Sequence, residues 1–150
     1  MARAAVRPSR QPEWQRDSGP LQFPAGLPGF EEHKIYVLES REDLRPFLWL
    51  RSTVDPEVAL PILSSFLLKR DVLPNLSKEH LSLIGNPSMD SVASYYVLRV
   101  NSETNSITVN TKAPIIISTL TGRGHQIILD ANGLKFDEPL ASLVPSMGGD

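Results

Sequence analysis

The chain has 150 residues, 41% hydrophobic and 21% charged, with a formal net charge of −2 and no cysteine. That balance suits one globular domain with its own core, and it excludes disulfides, zinc–thiolate sites and a cysteine nucleophile. No apolar run approaches the ~18 residues of a membrane helix, and the opening "MARAAVRPSRQ" lacks the apolar stretch of a signal peptide, so a cytoplasmic protein is expected.

Residues 1–20 show no apolar period and are rich in Arg, Pro, Ser and Gln. They are expected to form a flexible arm, with Trp14 as its one anchor. The arm carries four arginines against Glu13 and Asp17, which leaves the body mildly acidic. Next comes "LQFPAGLPGFEE" (21–32), whose prolines and glycines suit neither a helix interior nor a central strand. Its Leu21, Phe23, Leu27 and Phe30 nevertheless favour burial, which makes it a stiff apolar turn.

Short strand-like runs follow: "KIYVLE" (34–39), "PFLWLRS" (46–52) and "VALPIL" (58–63), where Pro61 argues for an edge or a bulge. "LSKEHLSLIG" (76–85) interrupts them with helix punctuation, so a short helix is expected at about 77–84. Ser77 is its N-cap, Glu79 lies in the first turn, and Leu76 and Leu81 occupy the positions of a hydrophobic staple. "SVASYYVLRV" (91–100) then alternates, with Val92, Ser94, Tyr96, Leu98 and Val100 on one face. "SITVNT" (106–111), "APIIIS" (113–118) and "HQIIL" (125–129) complete the run, and the glycines of "TLTGRG" suit a hairpin turn. The fold class expected is all-β: a small antiparallel β-barrel or sandwich with one short helix. The single β domain is placed at 21–140, with a flexible tail at 141–150.

Catalytic signatures do not emerge. His33, His80 and His125 are scattered, with no second histidine or carboxylate at a metal-ligand spacing. No nucleophile elbow or phosphate-binding glycine loop occurs. The pairs Glu31/Glu32, Glu42/Asp43 and Asp137/Glu138 are adjacent residues, which point to opposite faces of a strand and read as solvated loop residues. No metal and no cofactor is expected, and the default reading is a protein-binding module rather than an enzyme. Two rivals are a small cytosolic split-barrel enzyme or flavin-binding protein, which needs a basic or Gly-lined phosphate site, and an RNA-binding barrel, which needs a positive patch.

Three segments in order, "FPAGLPGFE" (23–31), "DPEVA" (55–59) and "NTKAPIII" (110–117), resemble the FliW family of bacterial flagellar assembly factors from about Leu21 to about Leu140. The resemblance implies a non-catalytic, chaperone-like regulator. Its partners would be flagellin and CsrA, a small basic repressor of translation, with no direct contact to nucleic acid or membrane. Release of flagellin would free the protein to capture CsrA and so relieve repression of flagellin synthesis. A monomer is expected. The candidate protein-binding residues are Leu27, Glu31 and Glu32 on and after the Pro/Gly turn, Asp55 and Glu57 in "STVDPEV", and Asn110 and Lys112 in "NTKAP".

Overall fold

Residues 92–98 bury every second side chain, as their alternation dictates, and this strand is an interior strand of one curled antiparallel sheet. The fold is that of a computed structural model describing residues 15–69 and 72–144. The strands are β1 (Gln15–Arg16), β2 (Leu21–Gln22), β3 (Ile35–Ser40), β4 (Leu48–Ser52), β5 (Ala59–Ser64), β6 (Val92–Asn101), β7 (Ser106–Ser118), β8 (Gly124–Gln126) and β9 (Glu138–Pro139). Their order is β1-β3-β4-β5-β6-β7-β8, with β2 also on β3 and β9 also on β7. A single parallel bridge from Gln22 to Arg123 brings the two ends of the curl together, giving a half-barrel.

Two cores result, one on each side of the sheet. Phe23, Leu27, Tyr36, Leu50, Ile62, Ile115 and Ile117 fill one. Tyr96, Leu98, Val109, Ile116 and Leu129 build the other, under the excursion between β5 and β6 and the segment after β8. The unbroken "III" of β7 is therefore buried on both faces, so it carries no alternation. Within the excursion, α1 (Lys78–Ser82) is five residues long, shorter than expected. It is closed by a reciprocal cap in which the His80 N–H donates to Ser77 Oγ and the Ser77 N–H donates to His80 Nδ1, each at 3.1 Å. Ile84 just beyond it is fully buried, while Leu76 and Leu81, the staple pair, are partly buried against the same core.

Several expectations need correction. The runs 106–111 and 113–118 form one strand, not two, bent at its middle. Tyr95 pairs with Ile115 and Val97 with Asn110, so Tyr96 alone faces Thr111 to Pro114. That bend stays satisfied because the N–H groups of Thr111 and Lys112 donate to Lys135 O (2.9 and 3.2 Å), while Pro114 O and Lys112 O accept from Ile127 and Leu129. The same bonds explain why "HQIIL" is a ladder strand only as far as Gln126.

The arm boundary also moves. Gln15 and Arg16 pair with Ser40 and Glu39, the Asp17 N–H donates to Leu38 O (2.7 Å), and Ser18 Oγ accepts from the Leu38 N–H. Residues 15–18, within the stretch read as an arm, are thus held to the sheet; Trp14 lies outside the described residues. At the other end, Leu143 is buried and its carbonyl accepts from the Lys69 N–H, so the tail is docked at least to there. Glu138 does not belong to a solvated pair. β9 turns it inward, 5% exposed, where its carboxylate accepts from Thr111 Oγ1.

Candidate functional site: an acidic ledge at one end of the sheet

Because β2, β4 and β6 run antiparallel to β3, β5 and β7, the β2–β3 turn and the β4–β5 hairpin share one end of the sheet. The Pro/Gly turn follows its path for a local reason. Gly26 has φ +70, and a Cβ there would meet the Glu31 backbone at 2.6 Å, so only glycine fits. The Gly26 N–H donates to Phe23 O and the Phe30 N–H to Leu27 O, each at 2.7 Å. This folding drives Leu27 inward to 1% exposure. Burying a leucine in this way contributes about 2 kcal/mol, and it removes Leu27 from the surface on which it was expected to meet a partner. Phe23 is likewise buried, edge-on to Tyr36 at 5.3 Å, whereas Phe30 stays half-exposed against His33.

Glu31 and Glu32 emerge exposed from this turn. The Gly29 N–H donates to a Glu31 carboxylate oxygen at 3.1 Å, and that bond holds the Glu31 carboxyl below its ordinary range. In the hairpin, Ser52 Oγ accepts from the N–H groups of Val54 and Asp55 (3.1 and 3.3 Å), and Asp55 Oδ1 accepts from the Glu57 N–H (3.0 Å). Arg51 reaches in from the strand: its guanidinium pairs with Glu39 at 2.5 Å and donates to Pro56 O at 2.6 Å. Asp55 and Glu57 are left exposed on a loop with few conformations open to it.

The two loops are joined. His33 Nδ1 lies 2.8 Å from Ser52 Oγ, and both the N–H and the hydroxyl of Thr53 donate to Ile35 O, at 3.0 and 3.1 Å. The result is a ledge with four exposed carboxylates. Among the basic side chains beside it, Lys34 donates to Pro24 O at 3.0 Å. Val54 (75% exposed) and Ile35 (40% exposed) add apolar surface that the sequence reading missed. No local signal marks them: Ile35 belongs to a strand-like run, and Val54 is a single apolar residue in a polar loop.

Asn110 and Lys112 stand apart from the ledge, on the β7 bend, with β5 and β6 between. Asn110 is half-buried and structural, its Oδ1 accepting from the N–H groups of Lys112 and Ala113 at 3.2 and 3.0 Å. Lys112 extends its ammonium over the Phe136 ring, 5.8 Å from the centroid.

At the opposite end, a cavity of about 380 Å³ opens between the 18–21 segment and the sheet, lined by Leu38, Tyr95, Ile117 and Gly122 among others. Its lining contains hydroxyl and apolar groups and no Lys, Arg or His that would meet a phosphate. Burial, and secondarily the charge of Asp17, raises the Tyr95 phenol above its usual value. Among the described residues, no group of three His, Cys, Asp or Glu is placed to hold a metal, and no helix is long and apolar enough to cross a membrane.

Fold and site together define a small curled-sheet β protein that presents carboxylates on a hydrogen-bonded ledge. The FliW protein family model matches residues 11–140, and the chain belongs to that family. It is 33% identical over 122 residues to the flagellar assembly factor FliW of Thermosipho africanus, covering 81% of this chain and 84% of the relative. To the FliW of Thermotoga neapolitana it is 35% identical over 109 residues, 72% and 73% of the two chains. A crystal structure of the flagellar assembly factor FliW superposes with a TM-score of 0.70 at 26% identity, covering 88% of this chain and 90% of the other.

Proposed function

We propose that this protein is a non-catalytic, cytoplasmic regulator of flagellum assembly that binds flagellin and a CsrA-type translational repressor. Partner switching is the mechanism. While flagellin is abundant it occupies the protein; once flagellin is exported, the freed protein captures the repressor and restores flagellin synthesis. The outcome follows from mass action among the three components.

The observation that carries this reading is the ledge. Four carboxylates on loops tied to each other by His33–Ser52 and Thr53–Ile35 form a fixed acidic surface, of the sign that a basic protein recognises. Because the loops are already ordered, binding costs little conformational entropy. Exposed Val54 supplies an apolar contact among the charges. A flavin or nucleotide reading finds no comparable support, since the 380 Å³ cavity lacks a cationic lining.

Calorimetric titration of the full chain with CsrA and with flagellin, singly and together, tests the reading. Each partner is expected to bind alone, and saturating flagellin is expected to weaken apparent CsrA binding. Absence of binding to both partners overturns it. Sedimentation of the free chain as a monomer is the accompanying expectation.

A further inference from the structure

Across the sheet from the ledge, β6 and β7 carry a groove of the opposite sign. Val97 pairs with Asn110 and Arg99 with Thr108, so these four side chains share one face of the two strands. Phe136, 60% exposed, walls the groove where β9 joins β7, and the enclosed volume is about 320 Å³. Among the described residues, the exposed guanidinium of Arg99 has no ion-pair or hydrogen-bond partner. The Lys112 ammonium lies over the Phe136 ring, 5.8 Å from its centroid. The groove therefore offers the Arg99 guanidinium, an exposed aromatic face, and the hydroxyl and amide of Thr108 and Asn110, and the Lys112 ammonium lies at the same ring.

We infer that this groove binds an acidic peptide segment of a partner protein, with a carboxylate on Arg99 and an apolar side chain against Phe136. Charge complementarity carries the choice of occupant. A guanidinium receives a carboxylate bidentately, and a volume of 320 Å³ accepts one or two side chains. A nucleic acid is a poorer fit. It needs a track of cations and successive stacking rings, whereas the groove supplies a single ring and lies next to Asp137. The inference does not depend on the acidic ledge or on the identity of its partner.

The test uses the full chain and a fluorescein-labelled, end-capped octapeptide of alternating Glu and Leu, read by anisotropy at low and moderate salt. A Lys–Leu octapeptide and a single-stranded uridine octanucleotide serve as competitors. Arg99→Glu and Phe136→Ala alter exposed side chains, so both variants are expected to melt like the parent, which differential scanning fluorimetry checks. The acidic peptide is expected to bind, to weaken as salt rises, and to lose affinity about tenfold or more on Arg99→Glu and severalfold on Phe136→Ala. The Lys–Leu peptide is expected not to displace it. No binding, or binding indifferent to both substitutions, overturns the proposal. Displacement by the oligonucleotide at equal concentration overturns the peptide assignment in favour of a polyanion site.

Discussion

The hydroxyl of Ser52 lies 2.8 Å from Nδ1 of His33 and, on its other side, accepts from the N–H groups of Val54 and Asp55. With both acceptor positions filled by backbone donors, the Ser52 proton points to the imidazole. One buried serine thus fixes the shape of the hairpin and ties it to the loop carrying Glu31 and Glu32. This arrangement makes two separate acidic turns into one surface.

Ser52→Ala is the direct probe of that tie. It leaves two loop N–H groups and an imidazole nitrogen without their acceptor or donor, a loss of about 1–3 kcal/mol. The melting temperature is expected to fall by several degrees, with increased amide exchange at Val54 and Asp55. Unchanged exchange at both amides would show that the loop holds its shape without Ser52.

The Pro/Gly turn separates two costs that are usually confounded. Gly26 and Gly29 both have positive φ, but a Cβ at Gly26 strikes the Glu31 backbone at 2.6 Å, while nothing lies within 4 Å at Gly29. Gly29→Ala is expected to cost only the left-handed conformational penalty, about 1–2 kcal/mol. Gly26→Ala adds backbone displacement and should lower the melting temperature clearly further. Equal shifts for the two would mean that the turn relaxes freely.

Truncation measures what the strap at residues 15–20 contributes. A chain beginning at Gln15 keeps the β1 pairing and both hydrogen bonds to Leu38; one beginning at Leu21 loses them and uncovers the cavity under residues 18–21. The shorter chain is expected to melt several degrees below the longer one. Coincident melting curves would show that the strap adds nothing to stability.

β6 was legible in the sequence because one face is buried and the other half-exposed, a difference that period-2 alternation records, whereas β3, with Tyr36, Val37 and Leu38 buried in succession, was legible only from its apolar and β-branched content. While the return bond to His80 is a finding of the structure, Ser77 was legible as the N-cap of α1 because such a cap acts locally. The β7 bend was not, since Lys135, Ile127 and Leu129 decide it from farther along the chain. β1 is two residues long and too short to show a period. Burial of Glu138 depends on Thr111, 27 positions away. At the site, each acidic residue was visible as an exposed-type side chain, but their convergence rests on His33 and Ser52, 19 residues apart, and no local pattern encodes it. Leu27 read both as a residue that favours burial and as a candidate contact; the geometry of Gly26 decides for burial.

Glu31 gives the ledge a pH signature. Hydrogen bonding from the Gly29 N–H, its largest influence, lowers the carboxyl in the folded state. Any stabilisation it gives is therefore present above the unfolded-state value and is lost as pH falls through the folded one. Followed by NMR, the Gly29 amide shift is expected to titrate with a midpoint below that of a free glutamate, and Glu31→Gln should abolish the transition. A midpoint at or above the free value would mean that the bond does not form in solution.

The central claim is that the ledge steers a basic repressor, and neutralising its charges without disturbing its hydrogen bonds tests it most directly. Asp55→Asn and Glu31→Gln each keep the acceptor oxygen that the Glu57 and Gly29 N–H groups use, and Glu32→Gln and Glu57→Gln remove the remaining charges. Stopped-flow association of this fourfold variant with CsrA, at low and moderate salt, is the measurement. Electrostatic steering typically raises association rates 10- to 1,000-fold, so a loss of about tenfold or more at low salt is expected, with a flattened salt dependence and a nearly unchanged melting temperature. Association at the parent rate at both salt concentrations would contradict the account.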